Sequence, residues 1–179
     1  MVDKSGNRLF FTTASIVILL DQVTKQWAVQ NLQPPHIPHE IWGSFLRFTL
    51  AFNKGAAFSM SLGEYSRYIF GAFAIIALVI LWRLFRASRP GDTVRVLALA
   101  LAFGGAAGNL IDRFRARASV VDFIDIGVGN VRFWTFNIAD TAVTFGAIML
   151  AFVLWKEDAA LEAEPEPAPP PVTVDGEAA

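Results

Sequence analysis

The chain has 179 residues, a net charge of −1, 54% hydrophobic and 17% charged residues, and a mean hydropathy of +0.46. A soluble globule of this size has too much surface to be so poor in charge, so the composition excludes disorder of the whole chain and points to a membrane protein. With no cysteine, disulfide scaffolds, cysteine zinc sites and thiol nucleophiles drop out; His36 and His39 as the only histidines leave little room for Ser-His or multi-His metal chemistry, so carboxylates, amides, hydroxyls, Lys and Arg are the groups to examine.

The first uncharged apolar run is Leu9–Leu20, 12 residues long. It has the look of a secretory signal core, but Asp21-Gln22-Val23-Thr24-Lys25 stands where a small-residue cleavage site belongs, so a retained helix is expected. A Pro-rich turn (Pro34, Pro35, Pro38) then precedes Phe45–Phe52, which alternates, is rich in aromatics and predicts a strand. Two more apolar runs follow, Tyr68–Trp82 and Val96–Ile111, of 15 and 16 residues, joined by a short connection carrying Arg83, Arg86, Arg89 and Arg95. Ser119–Ile126 and Val131–Phe136 flank Gly127-Val128-Gly129-Asn130 and predict a hairpin. The fourth run is Thr141–Trp155, 15 residues. From Lys156 to Ala179 the chain holds seven acids, one base and five of the nine prolines, which predicts a disordered acidic tail. The expected division is therefore a membrane domain over 1–155 and a tail over 156–179. The body alone has nine acids against fourteen bases, a basic membrane domain that implies no nucleic-acid partner.

Each run is shorter than the roughly 20 residues a spanning helix needs, so each must recruit polar neighbours. The first takes in Asp21 and Lys25; the third ends in Asn109, Asp112 and Arg113; the fourth begins at Asn137 and Asp140. Because spans alternate in direction, these three polar ends converge on one face, the face that also carries both long connections. The expected fold is an all-α membrane protein with four transmembrane helices and a small β-rich cradle or lid. Raw counts of Lys and Arg do not orient it, but the arginine density of the short 83–95 connection puts that connection and both termini in the cytoplasm, and the polar face outside.

Asp122, in Val120-Val121-Asp122-Phe123, and Asp140, in Asn137-Ile138-Ala139-Asp140, are acids in apolar contexts on that face. Two carboxylates sharing one low-dielectric pocket hold a proton between them, and such a dyad can activate water with one member and protonate a carbonyl oxygen with the other. The competing readings are structural: Asp140 as a first-turn helix acid, and Asp122 as a loop acid paired with Arg113, Arg115 or Arg117. Asp21 and Lys25, spaced i, i+4, read as an ion pair at the membrane boundary. Gly104-Gly105-Ala106-Ala107-Gly108 lets helices approach closely, and Asn53-Lys54-Gly55-Ala56-Ala57-Phe58 reads as a turn. His36, His39 and Glu40 give a faint metal hint beside their simpler reading as solvated loop residues.

Five blocks together carry a resemblance: Asp21 to Lys25, Asn53 to Phe58, Gly104 to Arg113, Val121-Asp122-Phe123 and Phe136 to Asp140. In this order and spacing the sequence resembles a lipoprotein signal peptidase (signal peptidase II), the bacterial aspartic peptidase of four transmembrane helices. The resemblance covers essentially everything except the tail. It implies an inner-membrane endopeptidase with no cofactor or metal. Its substrate would be a prolipoprotein whose lipobox Cys carries diacylglycerol, cleaved just before that Cys. Membrane lipids and peptide-like inhibitors would be its other partners. It also implies that Asp122 and Asp140 are the catalytic pair, that Asn53, Gly55, Asn109, Arg113 and Asn137 line or order the pocket, and that Asp21 and Lys25 support it. The alternative from the residues alone is a small proton-coupled transporter or channel subunit with intramembrane acids as its relay.

Overall fold

The computed structural model describes residues 2–55, 65–115 and 119–162. Among them are four helices, α1 (Lys4–Asn31), α2 (Ser66–Ala87), α3 (Thr93–Phe114) and α4 (Ile138–Glu162). Four strands accompany them, β1 (Pro38–Trp42), β2 (Leu46–Asn53), β3 (Val120–Val128) and β4 (Val131–Arg132). Every helix extends beyond its apolar run into polar residues, as the spanning length requires. By length and composition α2, α3 and α4 can each cross a membrane. At 28 residues α1 is long enough, but Asp21, Gln22, Lys25 and Gln26 dilute its apolar character. Asp3 and Asp92 start α1 and α3 as caps, accepting the Gly6 and Arg95 backbone N–H at 2.7 and 3.3 Å.

Packed against each of the other three helices, α3 is the hub of the bundle. Its small residues allow this. A Cβ at Gly105 would run into the Ala139 carbonyl of α4, and one at Gly108 would lie 2.6 Å from Asp21 Oδ2 of α1, so both neighbours sit against bare backbone. Away from the polar end, Phe10, Phe85, Val96, Leu99 and Ala100 form an apolar core, with the Phe10 and Phe85 rings stacked at 3.8 Å.

The strands make one antiparallel sheet in the order β1-β2-β3-β4. It rests on the end of α1 through Ala28, Leu32, Leu50 and Phe123, and Trp27 packs edge-on against Phe48 at 5.5 Å. Opposite β3, Ala51 faces Asp122 and Asn53 faces Val120. This register carries Asn53 to the neighbourhood of Asp122.

Three details differ from the sequence reading. The Pro-rich turn leads into an additional strand, β1, which is short, mostly exposed and at the sheet edge. Such a strand has no buried face to impose alternation, and Pro is tolerated at its first residue. The hairpin turn is tighter than expected: Gly127 and Val128 belong to β3, and only Gly129 and Asn130 turn, with Gly129 at φ +57°. After Arg132 the chain leaves the ladder, except where Phe136 bridges back to Ile124. Finally, α4 continues from Trp155 through Glu162, so the first part of the segment expected as tail is helical. Residues 163–179, Ala56 to Phe58 and Arg117 lie outside the described residues.

Candidate active site

The polar helix ends meet around a buried lysine. Lys25 Nζ lies 2.8 Å from Asp21 Oδ2, 2.9 Å from Asp112 Oδ2 and 2.9 Å from Asn109 Oδ1. Lys25 is 1% exposed and the two acids 0% and 2%, so the expected i, i+4 pair is present but is one side of a larger cluster. Gln22 closes it, donating from Nε2 to Asp21 Oδ2, the Gly108 carbonyl and Asp112 Oδ1 at 3.0, 3.1 and 3.3 Å. Charges at this depth persist because each is answered by an opposite charge and hydrogen bonds.

From this cluster the network leads to the two acids singled out by sequence. Asn109 Nδ2 donates to Asp140 Oδ1 at 2.8 Å. Asn137 Nδ2 donates to Asp122 Oδ1 at 2.7 Å, and also reaches Asn109 Oδ1 and the Val121 carbonyl, each at 3.2 Å. Asn137 also starts α4. Its Oδ1 accepts the Asp140 backbone N–H at 2.9 Å while Asp140 Oδ2 accepts the Asn137 backbone N–H at 3.3 Å, a reciprocal capping box. Helix start and acid placement are thus one structural event. Asn53 completes the ring with a side-chain hydrogen bond to Asp122. Its Oδ1 is held by the Gly55 backbone N–H at 3.0 Å.

Asp122 is 3% exposed. Burial pushes its carboxyl up to about 7, the nearby Asp140 charge adds to the effect, and the bonds from Asn53 and Asn137 oppose it. Asp140 is half-buried and so is the member of the pair that water reaches. Arg113 donates to the Asn109 carbonyl at 3.0 Å and lies close enough to both acids to interact with their charges. Asp122 makes no ion pair with Arg113 or Arg115; Arg115 instead stands 3.9 Å from Asp112.

All nine residues expected from the sequence therefore fall in one connected region. The sequence reading placed Asp112 on the polar face but gave neither it nor Gln22 a role in the site. Asp112 anchors Lys25, and its Oδ2 also accepts the Val121 backbone N–H at 3.3 Å, tying β3 down beside Asp122. The sequence carried half of its signal: Asn109, Asp112 and Arg113 share one helical face, but the burial of Lys25, which calls for more than one acceptor, is visible only in the fold. A cavity of about 290 Å³ lies behind this cluster, bordered by Lys25, Asp112 and Val121 rather than by the two acids. Among the described residues no three His, Asp or Glu side chains gather as metal ligands, His36 and His39 included.

Residues 13–156 match the family described as "Signal peptidase (SPase) II". The chain belongs to the signal peptidase II family. The lipoprotein signal peptidase of Psychromonas ingrahamii is 41% identical over 154 residues, covering 85% of this chain and 87% of that one. The one from Paraburkholderia phytofirmans is 40% identical over 139 residues, covering 76% and 78%. A solved structure described as a bacterial membrane enzyme superposes with a TM-score of 0.76 at 31% identity, over 88% of this chain and 94% of that one. As a member of signal peptidase II, the protein is a multi-pass bacterial membrane protein and an aspartic-type endopeptidase. That membership displaces the transporter alternative.

Proposed function

We propose that the protein cleaves prolipoproteins just before a diacylglyceryl-modified Cys, using Asp122 and Asp140 as the catalytic dyad. The observation that carries this reading is Asn137, whose one side chain bonds the Asp122 carboxylate and the Asp140 backbone N–H and so holds an acid of β3 beside one of α4.

Asp122, buried and with its proton held up to about 7, is the acid; Asp140, reached by water and in the first turn of α4, is the base. Asp140 takes a proton from water as the oxygen adds to the scissile carbonyl carbon, and Asp122 gives its proton to the carbonyl oxygen. Collapse of the tetrahedral intermediate breaks the C–N bond. The departing nitrogen takes the proton held by Asp140, and the carbonyl re-forms as its hydroxyl proton returns to Asp122. The products are a signal peptide with a free carboxyl and a lipidated Cys with a free amine. Neither step calls for a metal or cofactor. Asn53, Asn109, Asn137 and Arg113 hold the dyad and order the substrate backbone, with Gly55 orienting Asn53 and Asp21 and Lys25 supporting Asn109. A peptide bond tethered by lipid lies near the bilayer surface, which is where polar helix ends beneath a sheet can meet it. Arg83, Arg86, Arg89 and Arg95 around the short α2–α3 connection favour a cytoplasmic location for that end and both termini, with the dyad at the extracytoplasmic face.

The test offers detergent-solubilised protein a diacylglyceryl-modified peptide and its unlipidated twin, with Asp122→Asn and Asp140→Asn alongside. Cleavage of only the lipidated peptide, lost by about 10³-fold in either variant, is expected. Near wild-type turnover by a folded single variant would overturn the dyad.

A further inference from the structure

We infer that Lys25 is a positioning residue for Asp140, acting through the side-chain amide of Asn109. The inference deepens the dyad reading and rests on it for its catalytic meaning.

An ammonium has three donors and no acceptor. Two of those of Lys25 go to the carboxylates of Asp21 and Asp112; the third goes to Asn109 Oδ1 at 2.9 Å. That third partner is an amide, so the bond decides which way round the amide stands. Asn137 Nδ2 donates to the same oxygen at 3.2 Å. Turned over, Asn109 would set its NH₂ group against two donors and its oxygen against a carboxylate, losing three hydrogen bonds at once. Only the observed orientation is left, with Nδ2 directed at Asp140 Oδ1, 2.8 Å away.

Lys25 bonds to neither member of the dyad; its charge acts on Asp122 across space, while its hydrogen-bonded path to Asp140 runs through Asn109. The other charged groups around Asp140 are Asp122 on β3, Asp112 and Arg113 on α3, and Asp21 on α1. Asp21 and Asp112 accept from Lys25, Asp122 accepts from Asn137, and Arg113 is bonded to the Asn109 backbone carbonyl. Orientation of the amide therefore falls to Lys25, with Asn137 second. The two carboxylates that grip Lys25 fix its Nζ in place, and so aim its remaining donor at Asn109.

The test compares Lys25→Met/Asp112→Asn with Lys25→Gln/Asp112→Asn. Both pairs keep the net charge of the Asp21, Lys25 and Asp112 cluster, but only Gln retains a donor. With lipidated peptide, kcat of the Met pair should fall about 10²-fold with KM little changed, and the Gln pair should recover most of it. In an Asn109→Ala background the Met and Gln pairs should differ by less than about twofold, because a residue acting through Asn109 has nothing left to act on. Equal rates for the two pairs with Asn109 intact, or an undiminished difference without it, would overturn the inference. An arm free of catalysis uses protein labelled with ¹⁵N at asparagine. Asp140→Asn should shift the Asn109 side-chain amide signal in otherwise wild-type protein but not in the Met pair. An equal response in both, or two exchanging Asn109 orientations in unmodified protein, would equally overturn it. The last measurement needs no variant, and so can overturn the inference even if the Met pair does not fold. Activity surviving Asp122→Asn or Asp140→Asn would sink the dyad alone, leaving the amide signals to judge the link from Lys25 to Asp140.

Discussion

Asp21 and Ala139 join the first helix to the start of the fourth: Asp21 Oδ1 accepts the Ala139 backbone N–H at 3.0 Å. A helix N-terminus leaves backbone donors open and favours negative charge, and here α1 supplies the answer to a donor of α4. Removing Asp21 strips that donor and takes one of two acids from Lys25. Asp21→Ala should destabilise the protein by about 3–5 kcal/mol, read as a fall in Tm in detergent. Asp21→Asn, which keeps an acceptor, should cost less.

Gly108 reports on the same contact from the other side. Its missing Cβ would stand 2.6 Å from Asp21 Oδ2, so Gly108→Ala should push Asp21 away from Lys25 and Ala139, lowering both Tm and turnover. Gly71 on α2 has open space where a Cβ would go. Gly71→Ala should be neutral or stabilising by up to about 1 kcal/mol. Equal damage from the two changes would contradict the packing described.

The raised proton affinity of Asp122 makes stability depend on pH. Between its ordinary value of 3.8 and about 7 the folded protein keeps a proton that the unfolded chain releases. Stability should therefore fall as pH rises through that window and level off above about 7, by a few kcal/mol in order of magnitude. Asp122→Asn should abolish this slope, so its Tm advantage should grow across the window. Turnover, which on the dyad reading needs the protonated form, should decline above about pH 7. Asn53→Ala removes a bond that lowers the Asp122 value, and should move that limb to higher pH.

Asp125 has the opposite sign. Burial works against its charge, but Arg132, Thr49 and Arg47 outweigh it and hold the carboxyl below the usual carboxylate range. Arg47 meets it at 3.0 Å and Arg132 at 2.7 Å, clamping β2, β3 and the β4 turn. This contribution is complete above the ordinary carboxylate value and is lost as pH falls through the lower folded one. Asp125→Ala should leave two arginines without their shared partner and speed hydrogen exchange in β2 and β3 at neutral pH.

At the other end of the bundle, Arg95 bridges Asp92 and Glu157. Truncation after Glu162 should leave turnover within a few-fold. Truncation after Lys156 deletes Glu157 and should lower Tm slightly, by about 1 kcal/mol or less for so exposed a pair. A reporter fused after Trp155 should be cytoplasmic and one near Pro34 extracytoplasmic. The reverse would leave the dyad facing the wrong compartment.

Composition and the four apolar runs determined by themselves that this is a small helical membrane protein, and the shortness of those runs determined that polar residues must enter the helix ends. Asp21, Lys25, Asn109, Asn137, Asp122 and Asp140 were legible for that reason: a polar group at membrane depth stands out locally. Pairings between distant segments were not legible. Nothing near Asp112 in the sequence says that it shares Lys25 with Asp21, because that contact exists only once glycines at 105 and 108 have let α1 and α4 close on α3. β1 stayed hidden because an exposed edge strand has no buried face to leave a pattern. Only the tertiary structure decided which way the Asn109 and Asn137 amides stand. An amide reads the same in either orientation until donors and acceptors from other elements surround it, and here a buried lysine and a helix start make that choice.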